Sequence, residues 1–383
     1  MPPLSRRALL LSLASGSGAS LWPLHAQALP ARALVFPRDH SAHPELRTEW
    51  WYITGHARVP RPAGDRLFGF QVTFFRTRVD AAQSIQSAFA AHQLVFAHAA
   101  VTDVQGQRLW HDQRIARAGM GIAQADTEDT RLKIRDWSLV RHAQGGYHAR
   151  LPAGEFSLDL DFTPTQPLLL QGRQGLSRKG PQPQQASYYY SQPQLQAGGR
   201  LTLQGQSFEV AGRAWLDHEW SEELLHPDAV GWDWIGMNLE DGSALTAFRL
   251  RRADGSALWD GGSWRAVGGE VQAFGAVHVV VIAAAAGADA ETRVAIQRGE
   301  NLAHRLRIRC HRHRHGDALA RRGVGEGVVL RPASAGCERD ECVGHGDISG
   351  VGRDKQGEQG EAAEQMSFHG SGDVCYRQAA PYV

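Results

Sequence analysis

Cysteine is absent from most of this 383-residue chain, and its four copies all lie between Cys310 and Cys375. Disulfides therefore have no part in folding the larger N-terminal portion. After the N-terminal segment, no apolar run reaches the roughly 18 residues that a membrane-spanning helix needs. Excess charge is also lacking, because 41 lysines and arginines oppose 40 acids. A net charge of +1 gives no general attraction for nucleic acid, so we expect no nucleic-acid partner.

Two catalytic signatures are missing as well. The sequence has no Gly-x-Ser-x-Gly, which argues against a serine hydrolase of the nucleophile-elbow type. It has no HExxH or paired-histidine spacing, so we predict no metal in the N-terminal portion and no cofactor. The run from Cys310 to His315 offers soft ligands, but its spacing matches no common zinc motif.

The N-terminus has the pattern of an export signal. Arg6 and Arg7 precede an apolar run, and Ala26-Gln27-Ala28 supplies a small-x-small cleavage site. The order Ser5-Arg6-Arg7-x-Leu-Leu is typical of a twin-arginine signal, although the ordinary secretory route stays open. We therefore predict a signal peptide over residues 1–28 and a mature protein that is periplasmic or secreted.

Strand-like alternation dominates the rest of the N-terminal portion. Apolar residues occupy every second position at Phe68, Phe70, Val72 and Phe74, and the segment 156–162 repeats this pattern. Period two with one apolar face indicates half-buried antiparallel strands. Asp-Gly at 241–242 predicts a hairpin between the runs 232–239 and 244–250. With no long amphipathic helix before residue 275, these signals favour an all-β sandwich or barrel.

Ionisable residues and large aromatics combine in three segments. The residues that we select from them are Glu49, Trp50, Trp51, Tyr188, Tyr189, Tyr190, Asp217, His218, Glu219, Trp220, Trp232, Asp233 and Trp234. A carboxylic acid walled by indoles is poorly solvated, so its pKa rises and it can act as a general acid near neutrality. The structural alternative is that the tryptophans fill a core and that Glu49 pairs with an arginine.

Taken together, these motifs resemble one family, the lipocalin-like proteins grouped with carotenoid 1,2-hydratase (hydroxyneurosporene synthase) and the secreted AttH-type proteins, often labelled predicted secreted hydrolases. The resemblance covers about residues 35 to 265 and rests on the segments 43–52, 71–76, 97–103, 187–191, 215–220 and 231–234. It implies two consecutive lipocalin-like antiparallel β-barrels that hold a ligand between or within them.

The resemblance also implies a reaction, the cofactor-independent addition of water to a double bond of an isoprenoid- or lipid-like ligand. In that scheme, Asp217 or Asp233 is the acid, and His218 or Glu219 orients water. The ligand-binding set is Glu49, Trp50, Trp51, Tyr188, Tyr189, Tyr190, Trp220, Trp232 and Trp234. Such an apolar partner is compatible with peripheral membrane association. Two alternatives stay open, a non-catalytic periplasmic carrier and a secreted hydrolase.

We divide the chain into a signal peptide (1–28), a first barrel (29–195), the start of a second barrel (196–275) and a tail (276–383). From about residue 276 the family pattern is lost, and the tail has few aromatics. We therefore expect the second barrel to be incomplete. One hypothesis is a shift of reading frame near residue 276.

Overall fold

The structure is a computed structural model that describes residues 28–60, 66–223 and 225–275 with their side chains. Beyond residue 276 it describes only the backbone of five strands. Residues 1–27 of the predicted signal peptide and most of the predicted tail lie outside the described residues.

Strands make up nearly all of the regular structure, as the alternating sequence pattern predicts. The strands are β1 (Thr48–Arg58), β2 (Leu67–Arg78), β3 (Gln93–Asp103), β4 (Arg108–Arg117), β5 (Ala123–Ala125), β6 (Arg131–Ile134), β7 (Trp137–Arg141), β8 (Tyr147–Pro152), β9 (Phe156–Thr163), β10 (Leu169–Leu170), β11 (Leu176–Arg178), β12 (Ala186–Leu203), β13 (Gln206–Ser221), β14 (Gly231–Asn238), β15 (Ala244–Arg251), β16 (Ala257–Arg265), β17 (Gln272–Phe274), β18 (Val277–Val281), β19 (Glu291–Arg298), β20 (Asn301–Arg309), β21 (Gly327–Val328) and β22 (Cys375–Tyr376). Two short 3-10 helices span Arg38–His40 and Asp80–Ala82. Neither helix is long or apolar enough to cross a membrane.

A 13-stranded antiparallel sheet curls into a nearly closed barrel. Its order is β4-β3-β2-β1-β13-β12-β9-β8-β7-β6-β5, and β10 and β11 both pair with β12. The two ends approach where Arg114 on β4 pairs with Asp136 and donates to the Pro152 carbonyl at the end of β8, 2.8 Å away. The apolar face of β2 is buried inside this barrel, which confirms its predicted alternation.

The second sheet has the order β14-β15-β16-β17 and packs on the outer face of the large sheet. Its first hairpin is the predicted one, and the Asp241 carboxylate accepts from the Ser243 backbone amide at 2.8 Å. Tyr52 and Trp215 of the large sheet contact Trp234 of the second. Further along the chain, β18-β19-β20 form a three-stranded sheet. The architecture is therefore all-β, with lipocalin-like barrels.

Residue 195, the predicted boundary between the two barrels, lies within a single strand. That strand is β12, and the large sheet continues through β13 to Ser221, so the second sheet begins only at Gly231. A β-bulge marks the expected position, because the register of β12 on β13 shifts between Gln192 and Leu195 and Gln194 has a φ of 55°. The bulge interrupts the alternation within this single long strand.

Candidate functional site

Three neighbouring strands, β1, β13 and β12, carry most of the predicted site residues. Because successive side chains of a strand point to opposite faces, each motif is divided between the inside and the outside of the barrel. The inner residues are Glu49, Trp51, Tyr188, Tyr190, His218 and Trp220, and the outer ones are Trp50, Tyr189, Asp217 and Glu219. The sequence Asp217-His218-Glu219 therefore contributes to two separate clusters.

Glu49 is the centre of the inner cluster and is fully buried. Its Oε1 atom lies 2.7 Å from His43 Nδ1 and 2.9 Å from His218 Nε2. Its Oε2 atom accepts from Arg76 Nε at 2.9 Å and from the His43 backbone amide at 2.8 Å. Burial would raise the pKa of Glu49, but the hydrogen bonds from His218 and His43 outweigh it and hold that pKa well below its usual range.

His43 carries the second link of this cluster, to Asp39. Its Nε2 atom lies 3.1 Å from Asp39 Oδ1, and Asp39 also forms a two-bond ion pair with Arg32 at 2.6 and 2.9 Å. Burial would lower the pKa of His43, but hydrogen bonds to Asp39 and Glu49 outweigh it and raise that pKa. Both ring nitrogens of His43 therefore face carboxylate oxygens, which favours its protonated form.

His218 and His40 stay neutral on the other side of the cluster. Burial lowers the pKa of His218 to about 4, despite the opposing effect of Glu49, and that of His40 to about 3. The Tyr190 hydroxyl lies 3.2 Å from His218 Nδ1 and 2.7 Å from His40 Nδ1. Because His218 donates from Nε2 to Glu49, the Nδ1 atom of His218 accepts from the Tyr190 hydroxyl. That hydroxyl oxygen in turn accepts from His40 Nδ1.

The inner cluster also contains side chains of the types that bind metal ions. His43, Glu49 and His218 each offer one ligand atom, and these atoms lie within 4.8 Å of one another. Arg76, however, already neutralises Glu49, and the two imidazoles are at hydrogen-bond distance from the same carboxylate oxygen. Stacking of His43 on Trp220, with centroids 4.1 Å apart, completes a packed cluster. We therefore interpret it as a structural network in which each carboxylate is paired with basic side chains.

Asp217 is the centre of the outer cluster, between the large sheet and the second sheet. Its Oδ1 atom accepts from Ser191 Oγ at 2.5 Å and from Trp215 Nε1 at 2.8 Å. Gln171 donates to Ser191 at 2.8 Å and so fixes the serine hydroxyl. Burial raises the pKa of Asp217 to about 7, and the hydrogen bonds from Ser191, Trp215 and Tyr189 lower it only in part. This carboxyl therefore retains a proton near neutral pH.

Glu219 lies two residues further along the same face of β13. Its Oε1 atom is 3.0 Å from Lys179 Nζ and accepts a short hydrogen bond from Ser187. Lys179 also lies over two aromatic rings, 4.7 Å from the centroid of Tyr189 and 4.2 Å from that of Phe248. Glu219 is thus paired with a lysine, whereas Asp217 on the same face of the strand accepts from the neutral donors Ser191 and Trp215.

Aromatic side chains of the second sheet close this site. Trp234 donates from Nε1 to the Tyr189 hydroxyl at 3.0 Å, and the partly buried Trp232 packs against the same apolar cluster. Asp233, which we predicted as an alternative acid, forms an ion pair with Arg251 at 3.1 Å. Because the Arg251 guanidinium already engages Asp233, Asp217 is the better candidate for the acid.

The structure thus brings together Trp50, Tyr189, Asp217, Glu219, Trp232 and Trp234 around one interface. It places the remaining predicted ligand residues, Trp51, Tyr188, Tyr190 and Trp220, in the core of the barrel. Sequence reasoning missed Lys179, which lies in a polar loop without a recognisable motif, and the inner residues Asp39 and His40. Ser191 ended one of the recognised motifs, but its contact with Asp217 depends on strand register.

These features define a class of protein, an all-β protein of lipocalin-like barrels with a protonated carboxyl between its two sheets. A family model described as AttH-like matches residues 27–309, and the chain belongs to this family. The match continues beyond residue 276, where we expected the family pattern to end, and it includes β18 to β20.

Solved structures agree with this assignment. A crystal structure of an AttH-type protein from Nitrosomonas europaea is 45% identical, with a TM-score of 0.62, and the alignment covers 70% of this chain and 83% of that one. Kievitone hydratase from Nectria haematococca is 10% identical, with a TM-score of 0.51, over 71% of this chain and 79% of its own. This second likeness shows a shared fold. Among curated proteins, none matches the sequence of this chain.

Proposed function

We propose that this protein is a hydratase that adds water to a carbon–carbon double bond of an apolar, isoprenoid- or lipid-like ligand held between the two sheets. The observation that carries the proposal is the Asp217 carboxyl, which is buried among aromatic residues and keeps its proton up to about pH 7. A hydration of this type starts with protonation of an unactivated alkene, and an acid with a pKa near the working pH suits that step. The shared fold with a protein named as a hydratase is compatible with this proposal.

The chemistry balances with the residues of the outer cluster. Asp217 transfers its proton to one alkene carbon, the π electrons form the new C–H bond, and the other carbon becomes a tertiary cation. Facing indoles such as Trp215 and Trp234 stabilise that cation, by about 2 kcal/mol when it is desolvated. Water then forms the C–O bond and releases a proton that restores Asp217, so the net change is the addition of one water molecule.

Glu219 orients the water in this scheme. Its carboxylate shares a face of β13 with Asp217 and lies 3.0 Å from Lys179 Nζ. An ionised carboxylate accepts a hydrogen bond from water and directs the oxygen lone pair toward the cation. Acid and water acceptor are thus two residues apart on one strand.

The test is a conversion assay with an alkene that has a terminal isopropylidene group, such as lycopene or geranylgeraniol. In ¹⁸O-labelled water, the product should carry one labelled hydroxyl by mass spectrometry. Asp217→Asn keeps the shape of the side chain but has no proton to transfer, so its kcat should fall at least about 100-fold. Asp233→Asn is the matched control, and its kcat should stay within a few fold of the original.

Binding is measured in parallel by quenching of tryptophan fluorescence. Asp217→Asn should bind the alkene about as well as the original protein, since an amide fills the same volume. Full activity of Asp217→Asn would refute the role of this acid. Tight binding of every alkene with no conversion by the original protein would overturn the hydratase proposal in favour of a carrier.

A further inference from the structure

Exposed apolar side chains are concentrated at one edge of the large sheet. Eight large hydrophobic side chains in the described part of the chain are exposed, and five of them lie at this edge. Those five, which we call the edge patch, are Ile85, Phe89, Ile115, Met120 and Ile122. Phe89 is 71% exposed, Ile115 65% and Met120 59%, so the patch faces solvent with little cover.

The five residues come from adjoining parts of the fold. The loop between β2 and β3 provides Ile85 and Phe89, strand β4 provides Ile115, and the loop after β4 provides the other two. Arg117 joins the loops, because its guanidinium lies 5.6 Å from the Phe89 ring centroid and also contacts the Met120 sulfur. Arg117 thus links Phe89 to Met120, and clustered exposed apolar side chains of this kind mark an interaction site.

Positive charge surrounds the edge patch. The Arg135 backbone amide donates to the Ile122 carbonyl at 2.7 Å, and the Arg135 side chain is exposed, as are those of Arg131 and Lys133 on the adjacent β6. Two acids beside the patch are engaged by arginines, since Asp80 pairs with Arg78 and Asp136 with Arg114. Apolar side chains flanked by exposed cations match the chemistry of an anionic bilayer, with its acyl chains below a layer of phosphates.

We infer that the edge patch docks this protein onto an anionic lipid bilayer. Phe89 and Met120 enter the boundary between headgroups and acyl chains, while Arg117 and Arg135 contact lipid phosphates. This inference does not depend on the hydratase proposal, because the patch lies outside the Asp217 site and can be tested without any substrate.

The position of the patch also relates to the ligand site. A row of cross-strand partners, Ile115, Phe96, Phe75, Trp50 and Glu219, runs across the outer face from β4 to β13. Cross-strand partners share one face of a sheet, and the rings of Phe75 and Phe96 are stacked with centroids 4.6 Å apart. With strands about 4.8 Å apart, the row spans roughly 19 Å. An apolar molecule leaving the bilayer at Ile115 would thus meet apolar side chains up to the Asp217 site.

Sedimentation with lipid vesicles tests the inference. The full chain is mixed with vesicles of phosphatidylglycerol and phosphatidylethanolamine, or of phosphatidylcholine alone, and the bound fraction is measured after centrifugation. We expect the partition coefficient on anionic vesicles to fall about tenfold in Phe89→Ser plus Met120→Ser, which removes two inserted side chains. It should fall about fivefold in Arg117→Gln, an effect that high salt should erase.

Matched controls lie elsewhere on the surface. Val267→Ser changes an apolar residue that is 60% exposed, and Arg200→Gln removes an exposed arginine far from the patch, so both should bind like the original protein. Equal loss in patch and control variants, or no binding by the original protein, would overturn the inference. So would a patch variant that still binds vesicles fully but changes a dimer into a monomer, because the patch would then contact a second copy.

Discussion

Replacing Asp217 by asparagine should stabilise the protein, and increasingly so as the pH rises. Burial raises the pKa of this carboxyl from 3.8 to about 7. The unfolded chain, in which the carboxyl is solvated, loses the proton near pH 4, whereas the folded protein holds it up to about pH 7. Stability linked to this group is therefore fully present below about pH 4 and is lost as the pH rises through 7.

The magnitude follows from the difference between the two pKa values. About three pH units at 1.36 kcal/mol each give about 4 kcal/mol. Asparagine does not titrate, so the unfolding free energy of Asp217→Asn, relative to the original protein, should increase by about 4 kcal/mol between pH 4 and pH 8. Other titrating groups, including the buried histidines, are common to both proteins and cancel in this difference.

Guanidinium unfolding followed by tryptophan fluorescence at pH 4, 5, 6, 7 and 8 measures this difference. Asp233→Asn is the control, because it removes one partner of an ion pair with Arg251 and should lower stability slightly at every pH in this range. A difference between Asp217→Asn and the original protein that does not change with pH would refute the raised pKa. It would also remove the main support for Asp217 as the general acid.

The inner cluster provides two further predictions. Glu49→Gln leaves buried cations without their carboxylate and should lower the free energy of unfolding by about 3–5 kcal/mol. Arg200→Gln, which breaks an exposed ion pair, should lower it by less than about 1 kcal/mol. Equal losses of the two variants in chemical denaturation would contradict this prediction. The low pKa values of His40 and His218, about 3 and 4, mean that the unfolded chain takes up protons below about pH 6.5 that the folded chain excludes. Because the raised pKa of Asp217 acts in the opposite direction, the measure is the difference between His218→Gln and the original protein, which should shift in favour of the variant as the pH falls from 7 to 4.5; a difference that does not change with pH would show that His218 is not buried in the neutral form.

The period-two patterns predicted the all-β architecture, because alternation reports directly which side of a strand is buried. Phe68, Phe70, Val72 and Phe74 are all buried as that pattern requires. The Asp-Gly hairpin at 241–242 is also confirmed, since its turn chemistry depends only on local residues. Family membership followed from motifs read together, and the family match supports it.

Long-range contacts could not be predicted from the chain. That Asp217 meets Ser191, while Glu219 meets Lys179, depends on the register of β12 on β13 and on a loop whose path no motif reveals. The role of Asp233 depended on the same kind of information, because its partner Arg251 lies on a neighbouring strand. Propensity and spacing describe single strands, whereas a site is made by the pairing of several.

The division of Asp217-His218-Glu219 between two faces gives the site its chemistry. On the inner face, Glu49 is surrounded by donors and a guanidinium, so it is locked in the charged form and cannot act as an acid. On the outer face, burial raises the pKa of Asp217 to about 7, although a serine hydroxyl and an indole donate hydrogen bonds to it that lower the pKa in part. A strand that carried all three residues on one face would bring His218 next to Asp217, and a histidine so placed would take up the proton that hydration requires. Adjacent positions with opposite directions thus place His218 in the core of the barrel and leave Asp217 in the outer cluster, where the proposed hydration needs its acid.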